Sequence, residues 1–255
     1  MAVRETVGTA SADKAIRLGH PSYVWRRGQD RRLNLIRQHV PLEGRRILDV
    51  GCGLGMYVRQ LRRFSDEVYG VDVDPDKIAA ASETLPNLRV APAEALPFPD
   101  EFFDVILLHE VIEHVDDDRQ TIREAYRCLR PGGRMIIFAP NRLYFFETHG
   151  FYLGNRYIFR LLPLVNYTPD FIRNRFAPHV RIYTARGLRR LFRGLAVDFE
   201  VCTHVFPGFD NIVARHPRLG RAIVRARDLI ERTPLRCFGI SHFMVVRKRA
   251  RAPRR

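Results

Sequence analysis

The sequence predicts an α/β protein in which helices cover both faces of a parallel sheet. Short apolar runs alternate with amphipathic helical patterns between Asp30 and Pro140, as expected of consecutive strand–helix–strand units. One run, Ile47–Val50, leads into a turn with three glycines among five residues. A second run, Glu67–Asp72, ends in an acid. These observations predict a ligand site where the carboxyl ends of neighbouring parallel strands meet.

The spacing of apolar residues and the capping residues predict the individual elements. The first helix carries Leu33, Ile36 and Val40 on one stripe, and Asp74-Pro75 supplies an N-cap and a first-turn proline for a later one. The predicted helices are Asp30–Val40, a segment after Gly55, Pro75–Leu85, a segment around Ile122–Leu129, Thr184–Gly194 and Pro217–Arg232. The predicted strands are Ile47–Val50, Glu67–Asp72, a run ending at His109, Arg134–Ala139, Val197–Val205 and Ile240–Val246.

The glycine turn predicts a bound nucleoside-type cofactor. Glycine lets a ligand approach the backbone where a Cβ atom would block it, and the amides at the start of the next helix favour a polar or anionic group. The third glycine falls on Gly55 and not on Met56, whereas a dinucleotide fingerprint has the spacing G-x-G-x-x-G. The spacing therefore argues against a dinucleotide. The cofactor-binding residues predicted here are Asp49, Gly51, Cys52, Gly53 and Gly55.

Asp72 is the predicted ribose ligand. It lies 21 residues after Gly51, at the end of the second strand, where a carboxylate can accept hydrogen bonds from both ribose hydroxyls. Val73 follows it in the same predicted site. Two alternatives are that Asp72 only caps a turn and that Asp74 takes its place. Ribose binding alone does not separate one ribose-containing cofactor from another.

The segment Val90–Val115 indicates which ribose-containing cofactor the protein binds. It contains the blocks Ala93-Glu94, Leu96-Pro97-Phe98, Phe103-Asp104-Val105 and Glu110-Val111-Ile112-Glu113-His114. With the glycine turn before it and Leu129–Gly133 after it, the segment resembles class I S-adenosylmethionine (SAM) dependent methyltransferases of type 11, the group that includes ubiquinone-type O-methyltransferases. The resemblance spans roughly residues 46–141. It implies SAM as cofactor and a Rossmann-like, doubly wound sheet of seven strands with an antiparallel last strand, in a single domain over residues 1–255.

The resemblance also implies SAM contacts at Ala93, Glu94 and His109. Family members often have an acid immediately before the alanine, against the adenine amino group, but this chain has Pro92 there. Proline offers neither a side-chain acceptor nor a backbone N–H. We therefore assign adenine recognition to Ala93 or Glu94, and we expect His109, at the end of the fourth strand, beside the cofactor.

Glu110, Glu113 and His114 are the predicted catalytic group. If they share a helical turn, their spacing places them on one face, where two carboxylates and an imidazole suit a divalent cation such as Mg²⁺ or Mn²⁺. The same arrangement occurs in ubiquinone-type O-methyltransferases and in small-RNA 3′-end 2′-O-methyltransferases, and in the latter a later histidine completes the site; His179 is its counterpart here. His149 is a further candidate, although loop histidines are more often structural. The alternative is a site without metal, in which His114 alone takes the proton of an acceptor hydroxyl.

The alternation of strands and helices breaks at segment 141–182, where the family builds its acceptor site. This insertion after the fifth strand is rich in aromatic residues with arginines between them, and we expect most of the aromatics to form the core of a small helical subdomain. The others suit a lipid-like acceptor with an anionic head or RNA. The sequence thus predicts methyl transfer to a small-molecule or lipid-linked acceptor, at oxygen. The alternatives are an RNA 2′-O-methyltransferase and a non-catalytic SAM-binding protein.

The chain is strongly basic, with 43 Lys and Arg against 28 Asp and Glu and a net charge of +15. The excess includes a basic tail, 247–255, and the helix Pro217–Arg232, whose arginines edge an apolar stripe. This helix either rests on an anionic membrane or covers the edge of the sheet. We find no apolar run long enough to span a membrane and no signal-peptide pattern. We therefore expect a cytoplasmic protein that makes at most peripheral contact with a membrane.

Overall fold

A computed structural model describes residues 25–154 and 156–250, and a sheet of seven strands forms its centre. The strands, in chain order, are β1 (Ile47–Val50), β2 (Val68–Asp72), β3 (Leu88–Val90), β4 (Phe103–His109), β5 (Leu129–Pro140), β6 (Phe146–Glu147), β7 (Phe151–Leu153), β8 (Arg156–Ile158), β9 (Leu162–Pro163), β10 (Val197–Val205) and β11 (Ser241–Lys248). The large sheet has the order β3–β2–β1–β4–β5–β11–β10. Strands β1 to β5 run parallel, whereas β11 is antiparallel to both of its neighbours. The predicted fold class, with its antiparallel last strand, is confirmed.

The helices are α1 (Arg27–His39), α2 (Met56–Leu61), α3 (Pro75–Ser82), α4 (Asp118–Cys128), α5 (Asp170–Phe176), α6 (Ala185–Leu191), α7 (Asp210–Arg215) and α8 (Pro217–Ile230), with 3₁₀ turns at Val165–Tyr167 and Pro234–Phe238. Two predicted caps are confirmed. The Asp74 side chain accepts the N–H of Asp76 at the start of α3, and the Thr184 hydroxyl accepts the N–H of Gly187 at the start of α6. Each satisfies a backbone donor that the first turn of a helix leaves without a partner.

The central strands are buried on both faces because helices cover both sides of the sheet. All four residues of β1 are buried. One apolar cluster packs the sheet against α4 and α6, and a second packs it against α1, α2 and α3. This burial fixes the carboxyl ends of β1, β2 and β4, which carry the predicted site residues.

Two strands extend further than predicted. Strand β5 begins at Leu129, which pairs with Phe103 before the register shifts. At the other end of the chain, Lys248 belongs to β11 and donates hydrogen bonds to the carbonyls of Tyr126 and Leu129, at 2.9 and 2.7 Å. The first residues of the predicted basic tail are therefore part of the sheet, and residues 251–255 lie outside the described part of the chain.

The insertion is built from nested hairpins and not from a helical subdomain. Strand β6 pairs with β9 around an inner pair, β7 with β8, and only α5 adds a helix. The prediction of an aromatic core is wrong: none of the ten aromatic side chains in residues 144–176 is buried, and Phe171 is 74% exposed. The centre of the insertion is instead an ion pair between Glu147 and Arg173, whose exposed fractions are 1% and 2%.

Helix α8 leaves its apolar stripe in solvent. Leu219 and Leu229 are 54% and 64% exposed, and the side that packs inward carries Gly220 and Arg227. The stripe therefore does not cover the edge of the sheet, which was one of the two predicted roles of this helix. None of the helices in the described residues is both long and apolar enough to cross a membrane.

Candidate active site

The glycine turn gives the site its backbone shape. Gly51, Gly53 and Gly55 all have positive φ angles, of 71, 54 and 74°, which residues with a Cβ rarely adopt. A Cβ on Gly51 would lie 2.5 Å from Val111, whereas a Cβ on Gly53 would meet nothing within 4 Å. Gly51 therefore lets the loop after β4 pack against the turn, and Gly53 leaves an open approach for a ligand. Gly55 lies behind them as the N-cap of α2.

Asp72 joins the turn to the second strand. One carboxylate oxygen accepts the N–H of Gly53 at 2.8 Å, and the other accepts the N–H of Asp74 at 2.9 Å. Each oxygen keeps a second lone pair for a ligand hydroxyl. Asp74 caps α3 with its own side chain. Asp72 closes the turn before that helix, and its role as ribose ligand stays a prediction.

Two cavities meet at the carboxyl edge of the sheet, with volumes of about 520 and 430 Å³. Both are lined by Gly51, Asp72, Glu110 and His114. The larger, here the turn cavity, is also lined by the predicted cofactor residues Asp49, Cys52, Gly53 and His109. The smaller, here the loop cavity, is also lined by Val73, Ala93, Glu94, Glu113 and His179. Of the predicted cofactor residues, only Gly55 lies outside both linings.

Glu94 already has a structural role in the loop cavity. Its Oε1 accepts the backbone N–H groups of Asp116 and Asp117, at 2.9 and 3.2 Å. The carboxylate therefore fixes the loop that leads into α4. Ala93 and Pro92 line the same cavity, so this wall is shaped by small, rigid residues.

The end of β4 is held by an arginine from α1. Arg32 approaches His109 Nε2 at 2.8 Å, and the Tyr57 hydroxyl lies 3.1 Å from the same nitrogen. Burial, with the Arg32 charge adding to the effect, lowers the pKa of His109 to about 3. His109 is therefore neutral and accepts the guanidinium hydrogen bond. Arg32 could not be identified from the sequence, because it looks like an ordinary polar residue of an amphipathic helix.

Glu110 belongs to this arginine network. Its φ of 55° turns the chain sharply after β4, and its Oε1 accepts hydrogen bonds from Arg32 at 2.7 Å and from the Ser241 hydroxyl at 2.6 Å. Burial would raise the pKa of Glu110, but the Arg32 charge outweighs it and holds that pKa well below the usual range. Glu110 is therefore a charged partner of Arg32 in α1. The i, i+3 spacing predicted that Glu110 and Glu113 belong to one set of metal ligands, but the group of possible ligands contains Glu113 and not Glu110.

Glu113 is buried beside Glu110. It is 1% exposed, and its side chain lies within hydrogen-bonding reach of the Glu110 side chain. Burial raises the pKa of Glu113 well above the usual value, and the neighbouring Glu110 charge and this hydrogen bond add to the effect. The Glu113 carboxyl therefore keeps its proton and can donate it in a hydrogen bond to the charged Glu110.

His114 and His149 lie beside Glu113. The centres of the two rings are 5.6 Å apart, and ligand atoms of all three residues lie within 4.8 Å of one another. Burial, with His149 adding to the effect, lowers the pKa of His114 to about 4. The neutral imidazole lines both cavities, and its Nδ1 is buried with no hydrogen-bond partner among the described residues.

The insertion positions His149 through the buried ion pair. Glu147 Oε1 lies 2.9 Å from His149 Nδ1, and Glu147 Oε2 accepts a hydrogen bond from Arg173 at 2.7 Å. Arg173 also donates to the carbonyls of Ala177 and Val180. One ion pair thus fixes both the histidine and the segment that forms the wall of the loop cavity. The sequence offered His149 as a candidate but gave no indication of the Glu147–Arg173 pairing.

His179 lies next to this cluster but outside it. Its Nε2 is 3.2 Å from the carbonyl oxygen of His149, and its ring packs against Tyr152 and Tyr157. Burial lowers its pKa. Of the four predicted metal ligands, the structure brings together Glu113 and His114, and the third member of the group is His149 in place of Glu110 and His179.

The family follows from a comparison with known sequences. A profile of the methyltransferase-domain family matches residues 48–137. The match contains the glycine turn, Asp72, Glu113 and His114. Residues 48–137 form a methyltransferase domain of the class I SAM-dependent type. The resemblance predicted from the sequence is thereby confirmed, and SAM is the cofactor that this family uses.

Curated relatives match about half of the chain. The ubiquinone biosynthesis O-methyltransferase of Bartonella tribocorum is 38% identical over 131 residues, which are 49% of this chain and 52% of that protein. The protein of the same name from Pseudomonas fluorescens is 34% identical over 143 residues, 52% of this chain and 60% of the relative. The chain therefore spans only about half the length of these relatives.

Solved structures extend the likeness to most of the chain. A SAM-dependent methyltransferase from Mesorhizobium loti has a TM-score of 0.58 at 17% identity, over 85% of this chain and 96% of that chain. The [4+2]-cyclase SpnF has a TM-score of 0.59 at 20% identity, over 91% and 84%. At these identities the likeness establishes the fold alone. One of the two is named a cyclase, so the fold does not dictate the reaction.

Proposed function

We propose that this protein transfers the methyl group of SAM to a hydroxyl of a small-molecule or lipid-linked acceptor. The observation that carries the proposal is the meeting of the two cavities at His114 and Asp72. The glycine turn and Asp72 would hold the cofactor, and the acceptor would bind beside His114. The two ligands would then lie in adjoining cavities. The names of the relatives, O-methyltransferases of ubiquinone biosynthesis, favour oxygen as the acceptor atom.

In methyl transfer from SAM, the protein itself forms no covalent bond with the reactants. SAM supplies an activated methyl group, and the protein must align the acceptor with it and exclude water. The turn cavity is lined on one side by residues of α1 and by Tyr57, and on another by Thr148 and His149 of the insertion. We therefore expect the acceptor at the end of β4, between the cofactor region and the insertion.

His114 is the group that we assign to activating the acceptor hydroxyl. A hydroxyl must lose its proton, or have its pKa lowered, before it attacks the methyl group. The lowered pKa of His114 keeps its imidazole neutral at pH 7, and the ring lines both cavities, where it can accept that proton. The same ring can instead bind a divalent cation, which was the other activation route predicted from the sequence.

Two features support a lipid-linked acceptor. The insertion exposes large apolar side chains, among them Phe159 and Leu161 at 60% and 59%. On α8, the exposed Leu219 and Leu229 lie beside a row of arginines, Arg218, Arg221 and Arg225. A helix with an apolar stripe edged by arginines suits the surface of an anionic membrane. We therefore also propose peripheral contact between α8 and anionic lipid.

Methyl transfer is tested with radiolabelled SAM against hydroxylated small molecules, lipid extracts and RNA. We expect label in the small-molecule or lipid fraction, and a loss of at least about 100-fold in turnover for His114→Ala. His216→Ala, an exposed histidine outside both cavities, is the matched control. Label confined to RNA would replace the proposal with RNA 2′-O-methylation, and unchanged turnover in His114→Ala would overturn the role of that histidine.

Membrane contact is tested by flotation with vesicles of phosphatidylcholine alone or mixed with phosphatidylglycerol. We expect the protein to float only with the anionic vesicles and the double variant Leu219→Glu/Leu229→Glu to stay in solution. Val90→Glu, at an exposed apolar residue of edge strand β3, controls for the added charge. Equal flotation of the double variant and the wild type would contradict a role for α8.

A further inference from the structure

We propose that the cavity between α1 and α8, here the arginine cavity, binds a phosphate monoester group. Its volume is about 730 Å³, which exceeds that of the turn cavity and that of the loop cavity. Five arginines line it against two acids. The arginines are Arg27 and Arg31 of α1 and Arg221, Arg225 and Arg227 of α8. Binding at this site goes beyond methyl transfer and does not require that function to be correct.

A set of hydrogen bonds fixes the base of the arginine cavity. Arg31 forms an ion pair with Glu231 and donates a hydrogen bond to the carbonyl of Phe206 at 3.2 Å. Glu231 also accepts the backbone N–H of Phe206 at 2.9 Å. These contacts join α1, the loop after β10 and the end of α8, so the fold itself positions the walls of the cavity.

Three of the five arginines have no acidic partner among the described residues, namely Arg27, Arg221 and Arg225. Arg221 and Arg225 are one helical turn apart, a spacing at which like charges destabilise a helix. Of the two lining acids, Asp30 is left to offset three positive charges, because Glu231 is paired with Arg31. An anion bound between the two helices would supply the missing countercharge.

Arg227 contributes a guanidinium group that is held in place. The residue is only 9% exposed, and Asp228 accepts hydrogen bonds from its Nε and Nη2 at 3.0 and 2.8 Å. This pair uses two of the three guanidinium nitrogens, so the donors of Nη1 stay available, and Arg227 lines the cavity. Because the side chain is already ordered, little conformational entropy is lost when it binds an anion.

The chemistry of the lining favours a phosphate ester over a simple anion. Guanidinium groups match the oxygens of phosphate with pairs of parallel hydrogen bonds, and a phosphate monoester carries about 1.5 to 2 negative charges at pH 7. That charge offsets most of the surplus of positive charge in the lining. Leu35, Val213 and Val224 add apolar surface beside the arginines, which suits the organic part of an ester.

A soluble phosphate ester and the headgroup of a lipid share this chemistry, and the test separates the two sources. Binding of glycerol 3-phosphate to the full-length protein is measured by calorimetry. Binding to a lipid headgroup is measured by flotation with phosphatidylcholine vesicles that contain phosphatidic acid. Saturable binding of glycerol 3-phosphate, at one site per chain, would assign the cavity to soluble esters. Flotation without such binding would assign it to a lipid headgroup.

The decisive variant is Arg221→Gln/Arg225→Gln, because both arginines are exposed and line the cavity. We expect it to weaken binding at least about 10-fold, in whichever arm the wild type binds. The control Arg218→Gln/Arg232→Gln removes the same charge from exposed positions outside the lining, so its binding should stay within about twofold of the wild type. Arg27→Gln, on α1, should weaken binding at least about threefold.

The proposal is overturned if the wild type binds in neither arm. It is also overturned if the two arginine double variants lose affinity equally, since the loss would then follow the net charge and not the cavity. Unchanged affinity in Arg27→Gln would likewise contradict a site between the two helices. Both arginine double variants keep Leu219 and Leu229, so their comparison separates the cavity from a contact of these leucines with lipid. Neither arm includes SAM, so the methyl-transfer assay is judged separately.

Discussion

The cofactor region, residues 47–109, and the acceptor region, residues 141–181, are built by different physical means. The first consists of parallel strands buried on both faces, whose ends are fixed by backbone hydrogen bonds and by the glycine turn. The second has strands of two or three residues around one buried ion pair, and its aromatic side chains are partly or fully exposed. One region is held by extensive apolar burial. The other combines one buried ion pair with a few buried apolar residues, among them Val165, Ala177 and Val180.

This difference indicates which residues can change the specificity for the acceptor without loss of the cofactor site. Substitutions in the insertion act on the acceptor wall and on His149, while the glycine turn and Asp72 depend on strands that the insertion does not touch. The two regions therefore make separable contributions to binding. The three experiments below test that separation.

The largest effect is expected from breaking the ion pair of the acceptor region with Arg173→Met. The change leaves the Glu147 carboxylate, which is 1% exposed, without its guanidinium partner. Removing one member of a buried pair costs about 3–5 kcal/mol. We expect a fall in Tm on the order of 10 °C and faster hydrogen exchange across residues 141–181, measured by mass spectrometry. We expect the affinity for SAM, measured by calorimetry, to stay within about twofold.

Arg175→Met is the matched control, because Arg175 lies on the same helix and is exposed. It should change neither Tm nor hydrogen exchange. A parallel loss of SAM affinity in Arg173→Met would show that the two regions are not separable.

A smaller effect, confined to the cofactor region, is expected for Asp72→Asn. The amide has one acceptor oxygen in place of two, so it cannot serve both the backbone donors of Gly53 and Asp74 and both ribose hydroxyls. Losing two charge-assisted hydrogen bonds weakens SAM binding by about 100-fold or more, as calorimetry would show. Asp66→Asn, at an exposed acid in the loop before β2, should bind SAM normally. If SAM affinity survives in Asp72→Asn, the assignment of Asp72 as ribose ligand is wrong.

The smallest effect concerns the boundary between the regions, at Glu113. Burial raises the folded-state pKa of this carboxyl above its unfolded value, so the wild type loses stability as the pH rises from about 4.5 through that raised pKa. In EDTA at pH 7, Glu113→Gln should therefore be more stable than the wild type by about 1–3 kcal/mol. The gain should vanish as the pH falls below about 4.5, where the wild-type carboxyl becomes protonated in the unfolded state as well as in the folded state.

Glu110→Gln is the contrasting variant for this measurement. The pKa of Glu110 lies well below its usual range because of Arg32, so neutralising Glu110 should lower the stability at pH 7. Two glutamates three residues apart would then respond with opposite signs. Equal responses would contradict the different environments that the structure gives them.

The sequence sufficed for the cofactor region because its determinants are local. The three glycines Gly51, Gly53 and Gly55 indicate positive φ angles, because glycine adopts them readily. The position of Asp72 could be predicted because it is the last residue of a short apolar strand. The periodicity of apolar residues located the helices and strands to within a few residues, since burial on one or both faces leaves a regular pattern.

The acceptor region could not be predicted in the same way because its contacts join residues far apart in the chain. Nothing near Glu147 indicates that Arg173, twenty-six residues later, will neutralise it. The i, i+3, i+4 spacing of Glu110, Glu113 and His114 predicted one common face, but that inference assumed helical backbone. The left-handed φ of Glu110 breaks the pattern and sends its side chain to Arg32, a residue seventy-eight positions earlier.

The contacts of Arg32 also determine how early the pocket at Glu110 can form while the chain is being synthesised. Its guanidinium reaches Glu110 at 2.7 Å and the Ser241 hydroxyl at 2.9 Å, and Ser241 opens β11, the strand between β5 and β10. A nascent chain can form the glycine turn early, but the clamp on Glu110 stays incomplete until residues 241–248 have left the ribosome. The order of synthesis thus delays the finished pocket until nearly the whole domain has been made.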